Sequence, residues 1–103
     1  SIINYYPEKI KRLKDINKTI TYFGSLLLKN KFHVLGISEH VFSNDAFTLV
    51  FILSESHLSF HTWPEKNWVS IDFFSCKPNF KLETLVPSFL KFFHGQMYRQ
   101  TVM

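Results

Sequence analysis

Between residues 31 and 76 the sequence carries four extended runs separated only by short polar clusters. KFHVLGISEHVF (31–42) alternates loosely and has a natural bend point at Gly36. FTLVFIL (47–53) is continuous, apolar and rich in β-formers, as a buried strand would be. HLSFHTW (57–63) sets His57, Ser59, His61 and Trp63 on one face and Leu58, Phe60 and Thr62 on the other. WVSIDFFSC (68–76) alternates again, with Val69, Ile71 and Phe73 opposed to Ser70, Asp72 and Phe74. The turn clusters SND (43–45) and PEKN (64–67) are too short to carry a parallel crossover, so these strands must pair antiparallel.

The flanks supply helices. Ile10, Leu13, Ile16, Ile20, Phe23 and Leu27 recur at steps of three or four, which predicts an amphipathic helix over 8–29, weakened at Gly24 and ended by Asn30. Leu82, Leu85, Val86, Phe89 and Phe93 predict a second over 82–94, with Pro87 in its first turn and Gly95 as its stop. IINYY (2–6) is a candidate first strand ended by Pro7, KPNF (77–80) breaks the chain, and QMYRQTVM is a last short strand or tail. The predicted order is β-α-β-β-β-β-α-β: an α+β two-layer sandwich, an antiparallel sheet with two helices on one face. At 103 residues this fits one domain. The other sheet face also needs cover. Twelve phenylalanines make a second copy of the chain, hence a homodimer, the natural candidate.

Several function classes are excluded. The net charge is +4, but Lys9, Lys11, Arg12, Lys14 and Lys18 read as the solvated face of the first helix, so no nucleic-acid partner is expected. Cys76 is the only cysteine, which rules out an internal disulfide and a Cys-rich zinc site and fits a reducing, cytoplasmic setting. No apolar run approaches a membrane-spanning length, and SIINYYPEK lacks the pattern of a signal peptide, so no membrane association is expected. His57 and His61 have a helical metal-ligand spacing on a segment that alternates as a strand, and no cluster completes a site, so no metal is expected. The G-x-S-x-G elbow of a serine hydrolase is absent.

What remains is the crowding in ESHLSFHTWPE (55–65), followed by IDFFSC (71–76). Together these resemble the bacterial and archaeal type of S-adenosylmethionine decarboxylase, a pyruvoyl-dependent family. Its processing segment reads close to E-S-H-x-x-x-H-T-W-P-E, and its next strand ends in D-x-F-x-C. GISEHVF (36–42) is similar to the family's G-x-S-x-H-x-F segment. The likeness covers roughly residues 13–76. One departure stands out: where the family shows Gly-x-Ser-Gly, this chain has Ala46, Phe47, Thr48 and Leu49, keeping a hydroxyl at Thr48 but losing both glycines.

The resemblance implies a proenzyme that cuts itself between Glu55 and Ser56 into a β chain (1–55) and an α chain (56–103). The Ser56 hydroxyl would attack the Glu55 carbonyl, with Thr48 supporting processing. His61 would act as base in the β-elimination that leaves a pyruvoyl group at residue 56. That cofactor, needing neither metal nor PLP, would form a Schiff base with S-adenosylmethionine and accept the electrons of decarboxylation, supplying the aminopropyl donor for spermidine synthesis. Cys76 would be the proton donor. Glu65 would bind the ribose hydroxyls, Phe42 would stack on adenine, and Trp63 and His40 would line the site. His33, His57 and His94 carry no implied role. The alternatives are a relative that decarboxylates arginine or ornithine, and a regulatory copy that never processes. Alternation places Ser56 and His61 on opposite faces of a flat strand, so a bend or bulge is expected near Glu55–His57.

Overall fold

The computed structural model describes residues 2–7, 10–76, 80 and 82–101. The expected helix start at residue 8, Lys9, the break at 77–79 and the last two residues of the tail lie outside them. Among the described residues six strands form one antiparallel sheet: β1 (Ile2–Pro7), β2 (Val34–Val41), β3 (Phe47–Leu53), β4 (Ser56–Trp63), β5 (Trp68–Ser75) and β6 (Gly95–Thr101). Their order across the sheet is β2-β3-β4-β5-β1-β6, so the first and last strands pair with each other beside β5. Helices α1 (Ile16–Lys29) and α2 (Val86–Phe93) complete the predicted element order.

Several predicted boundaries move: the strand predicted over 31–42 begins only at Val34, and both helices are shorter than predicted. The first helix does not run unbroken to Lys29. A 3-10 turn over Ile10–Lys14 precedes it, and Asp15 interrupts with φ −120°, its carboxylate accepting the Lys18 amide at 3.1 Å. An Asp there satisfies an amide at the helix start that would otherwise lack a partner, which favours beginning a helix over continuing one. Asp15→Ala is expected to lower unfolding stability by about 1 kcal/mol, readable as a shifted urea midpoint. The second helix likewise splits into a 3-10 turn, Leu82–Thr84, and α2, with Pro87 in the first turn as expected. Its stop is His94 rather than Gly95: His94 takes the left-handed conformation (φ 51°), and Gly95 opens β6 opposite Pro7. The bend expected near Gly36 is present as a register irregularity between Val34 and Gly36.

One face of the sheet is covered. Leu49, Phe51, Leu58, Phe60, Val69 and Ile71 alternate inward from the three central strands and are buried. Phe23 of α1 meets Phe60 at 4.8 Å and Phe89 of α2 at 5.4 Å between ring centroids, so both helices close on one aromatic core. Phe47, in the stretch that replaces the family's Gly-x-Ser-Gly, is part of that core, and its amide donates to the Thr62 hydroxyl at 2.9 Å. The opposite face carries no layer among the described residues. On it lie Thr48, Ile52, His57, His61, Trp63, Trp68 and Phe74, and Ile52 and Phe74 are each about half exposed.

Candidate active site

The β3–β4 connection is the shortest in the sheet. Leu53 pairs with Ser56, leaving only Ser54 and Glu55 in the turn. The Glu55–Ser56 peptide therefore sits where the chain leaves a tight turn and enters a strand. From Ser56 onward β4 keeps register with β5 through Trp63, and with β3 through His61. The bend or bulge expected near Glu55–His57 to bring Ser56 and His61 together is therefore not found: the chain turns at Ser54–Glu55, before the strand, and β4 is regular from Ser56. Pairing with neighbours on both sides holds β4 straight.

That regularity decides where the candidate residues fall. Ser56 shares the alternation of Leu58 and Phe60, and His61 that of His57 and Trp63. The two are five residues apart, about 17 Å of extended chain, and on opposite faces. One straight strand does not bring them together.

Instead, the candidate residues form two groups at opposite ends of the central strands. At the Ser56 end is a cavity of about 260 Å³ lined by Lys31, Phe32, His33, Ser54, Glu55, Ser56 and Cys76. Cys76 follows the last residue of β5, whose Ser75 pairs with Ser56, so the thiol stands beside the hydroxyl's strand end; it is exposed. His33 and Lys31, to which the sequence assigns no role, belong to this group. No local signal marks them, because they are far from Ser56 in sequence and approach it only when β2 pairs with β3.

At the other end lie the remaining candidates. His61 Nδ1 is 3.2 Å from the Thr48 hydroxyl, a hydrogen bond whose direction follows the ring tautomer. Cross-strand pairing makes the contact, since Thr48 is directly opposite His61. Trp63 stacks on His61 at 6.0 Å and on Trp68 at 4.3 Å, and the Trp68 indole donates to the Asn4 side chain at 3.0 Å. Glu65, in a 3-10 turn over Pro64–Lys66, accepts a hydrogen bond from the Asn44 amide at 3.2 Å. This ties the β4–β5 turn to the β2–β3 turn. Phe42 is half exposed and edge-on to His40 at 4.6 Å, so it is not a core residue. Between the two ends, on the open face, His57 Nε2 lies 3.3 Å from the Asp72 carboxylate and its ring stacks on Phe74. Among the described residues no three His, Cys, Asp or Glu side chains are grouped to hold a metal ion, and no helix is long and apolar enough to cross a membrane.

Known proteins share both the sequence and the fold. The S-adenosylmethionine decarboxylase proenzyme of Methanococcus maripaludis is 43% identical over 59 residues, 57% of this chain and 48% of that protein. The S-adenosylmethionine decarboxylase proenzyme 2 of Bacillus cereus is 50% identical over 44 residues, 43% of this chain and 36% of that protein. The proenzyme of Archaeoglobus fulgidus is 37% identical over 62 residues, 60% of this chain and 55% of that protein. The matches thus span from about a third to just over half the length of these curated relatives. The crystal structure of the adenosylmethionine decarboxylase from Aquifex aeolicus superposes with a TM-score of 0.79 at 15% identity, over 99% of this chain and 88% of that one, which establishes a shared fold. The family model described as S-adenosylmethionine decarboxylase matches residues 1–103, and on that full-length match, with the fold and the ESHLSFHTWPE strand in agreement, the chain belongs to the S-adenosylmethionine decarboxylase family.

Proposed function

We propose that the chain is a proenzyme, one domain over 1–103, that cuts itself between Glu55 and Ser56 and then decarboxylates S-adenosylmethionine. The observation that carries this is the placement of Ser56: first residue of a strand, directly after a two-residue turn, in a cavity shared with Cys76. The turn leaves the Glu55 carbonyl outside the strand ladder, where the Ser56 hydroxyl can attack it without breaking the sheet. The shift exchanges an amide for an ester and needs no external reagent. The cut yields a β chain ending at Glu55 and an α chain beginning at residue 56.

The cavity also fits the product. Its walls join the new α-chain end to a thiol, and its volume admits the amino-acid end of a substrate. A pyruvoyl group made from Ser56 would supply the electron sink for carbon dioxide loss. Cys76 then holds the proton that returns to the substrate carbon. At the other end, Glu65 is held by Asn44 with a carboxylate suited to a diol, the half-exposed Phe42 offers a ring face for a purine, and Trp63, stacked on His61 and Trp68, lines the site.

The two ends must meet for one substrate to reach both. Two copies packed through their open faces, with β4 strands antiparallel, overlay the His61–Glu65 end of one on the Ser56–Cys76 end of the other. The half-exposed Ile52 and Phe74 favour that packing, since a bare aromatic and aliphatic sheet face is costly in water. In this arrangement His61, its ring fixed by Thr48, stands over the β3–β4 turn of the second copy, and that turn must swing residue 56 toward the open face for His61 to act on it, since in the straight strand the Ser56 side chain lies on the covered face. Decarboxylation of S-adenosylmethionine, against arginine and ornithine as rival substrates, tests the function. Cys76→Ala is expected to leave the cut at 55/56 intact while steady-state formation of the decarboxylated, protonated product falls about 100-fold or more, the usual scale of a lost proton donor. Equal rates with and without the thiol would remove Cys76 from the chemistry.

A further inference from the structure

The cavity at the scissile peptide contains one imidazole among its described lining residues, and it is neither His57 nor His61. His57, though adjacent to Ser56 in sequence, lies on the open face, held by Asp72 at 3.3 Å and stacked on Phe74. His61 lies near the other end of the strand. The cavity's imidazole is His33.

Its position is fixed by the end of α1. Asn30 caps the helix, and Lys31 turns left-handed at φ 65°. The Lys31 amide donates to Leu28 O and the Phe32 amide to Leu27 O, each at 2.9 Å. This paired closure stops a helix in one defined direction. Phe32 then plugs into the core, edge-on to Phe73 at 5.7 Å and to Phe80 at 4.9 Å. His33 follows at once and is exposed. Val34 opens β2 opposite Leu53, Leu53 pairs with Ser56, and Ser56 with Ser75. One residue beyond that row come His33, the turn Ser54–Glu55, and Cys76. The sheet register therefore sets His33 at the rim of the turn that holds the scissile bond.

We infer that His33 carries the proton in the first step of self-cleavage, an inference that rests on the processing reading above. As the Ser56 oxygen bonds to the Glu55 carbonyl carbon, its proton passes to His33, directly or through one water. As the carbon–nitrogen bond breaks, the same proton passes to the Ser56 nitrogen. An ester and a free amine result, and atoms balance without any added reagent. His61 is left to the later step, removal of the Ser56 α-proton, so two imidazoles serve two steps.

The test follows full-length chains made by cell-free translation, with intact mass recorded against time. Hydroxylamine, which splits esters but not amides, reports the first step separately. His61→Ala should accumulate a hydroxylamine-sensitive chain, because the ester forms and elimination stalls. His33→Ala and His33→Gln should stay whole with or without hydroxylamine, with ester formation slowed about 100-fold or more. Added imidazole should restore part of the His33→Ala rate, which a merely structural role would not allow. Wild-type ester formation in His33→Gln, or a slowed His33→Ala that free imidazole leaves unchanged, would overturn the inference. A wild-type chain that never splits would instead remove the processing reading, and this inference with it.

Discussion

Ser56→Ala is expected to leave the chain whole. Without the hydroxyl there is no attack on the Glu55 carbonyl, no ester and no elimination, so the loss of cleavage is complete rather than graded. The substitution removes one oxygen at a half-buried strand end, and β4 keeps both ladders, so the fold should survive. The useful form of the experiment is a mixture. Because Ser56 and His61 lie about 17 Å apart along a straight strand, on opposite faces, the uncleaved Ser56→Ala chain can still offer its His61 to another copy. Co-expression with His61→Ala should therefore restore cleavage of the His61→Ala chain, which alone stalls. Intact masses of the separately tagged chains decide it. A His61→Ala chain that remains stalled in the mixture would show that the two groups meet within one copy, after a rearrangement of the strand.

The second large effect is on stability. Phe23→Ala removes a fully buried ring whose neighbours are Phe60 at 4.8 Å, Phe92 at 5.2 Å, Phe89 at 5.4 Å and Phe93 at 6.2 Å. It joins α1 to α2 and to the sheet at once, so no single neighbour can move in to fill the space. Truncations of this kind cost about 3–5 kcal/mol, much of the total of about 5–15 kcal/mol that a small domain possesses. Denaturant unfolding of the Phe23→Ala chain should show a midpoint far below wild type, with the protein partly unfolded in buffer. A loss of about 1 kcal/mol or less would mean that the aromatic layer repacks freely.

How much of this is legible from the residues follows from periodicity. The strands over 57–63 and 68–76 announce themselves, because alternation is local and β4 and β5 each turn one face to the core; 47–53 is marked instead by its continuous apolar, β-forming run, although in the fold only one of its faces is buried. The α1 stripe is legible too, but its interruption is not: Asp15 caps by accepting a single amide, and the stripe Leu13–Ile16 continues past it in sequence. In sequence the site reads as one cluster, because Glu55, Ser56, His61 and Glu65 fall within one short stretch. An extended strand spreads those residues over about 30 Å, which proximity in sequence conceals. His33 is invisible for the converse reason. Its nearness to Ser56 depends on the helix stop at Asn30–Lys31 and on the Val34–Leu53 pairing, and no motif spans that distance.

Whether this chain is a self-cleaving proenzyme is read from the intact mass of the wild-type protein under denaturing conditions. Two species divided between Glu55 and Ser56 are expected. The α chain should be lighter by one ammonia than a fragment beginning with serine, and its end should resist Edman degradation. A single full-length mass that persists after prolonged incubation would contradict it.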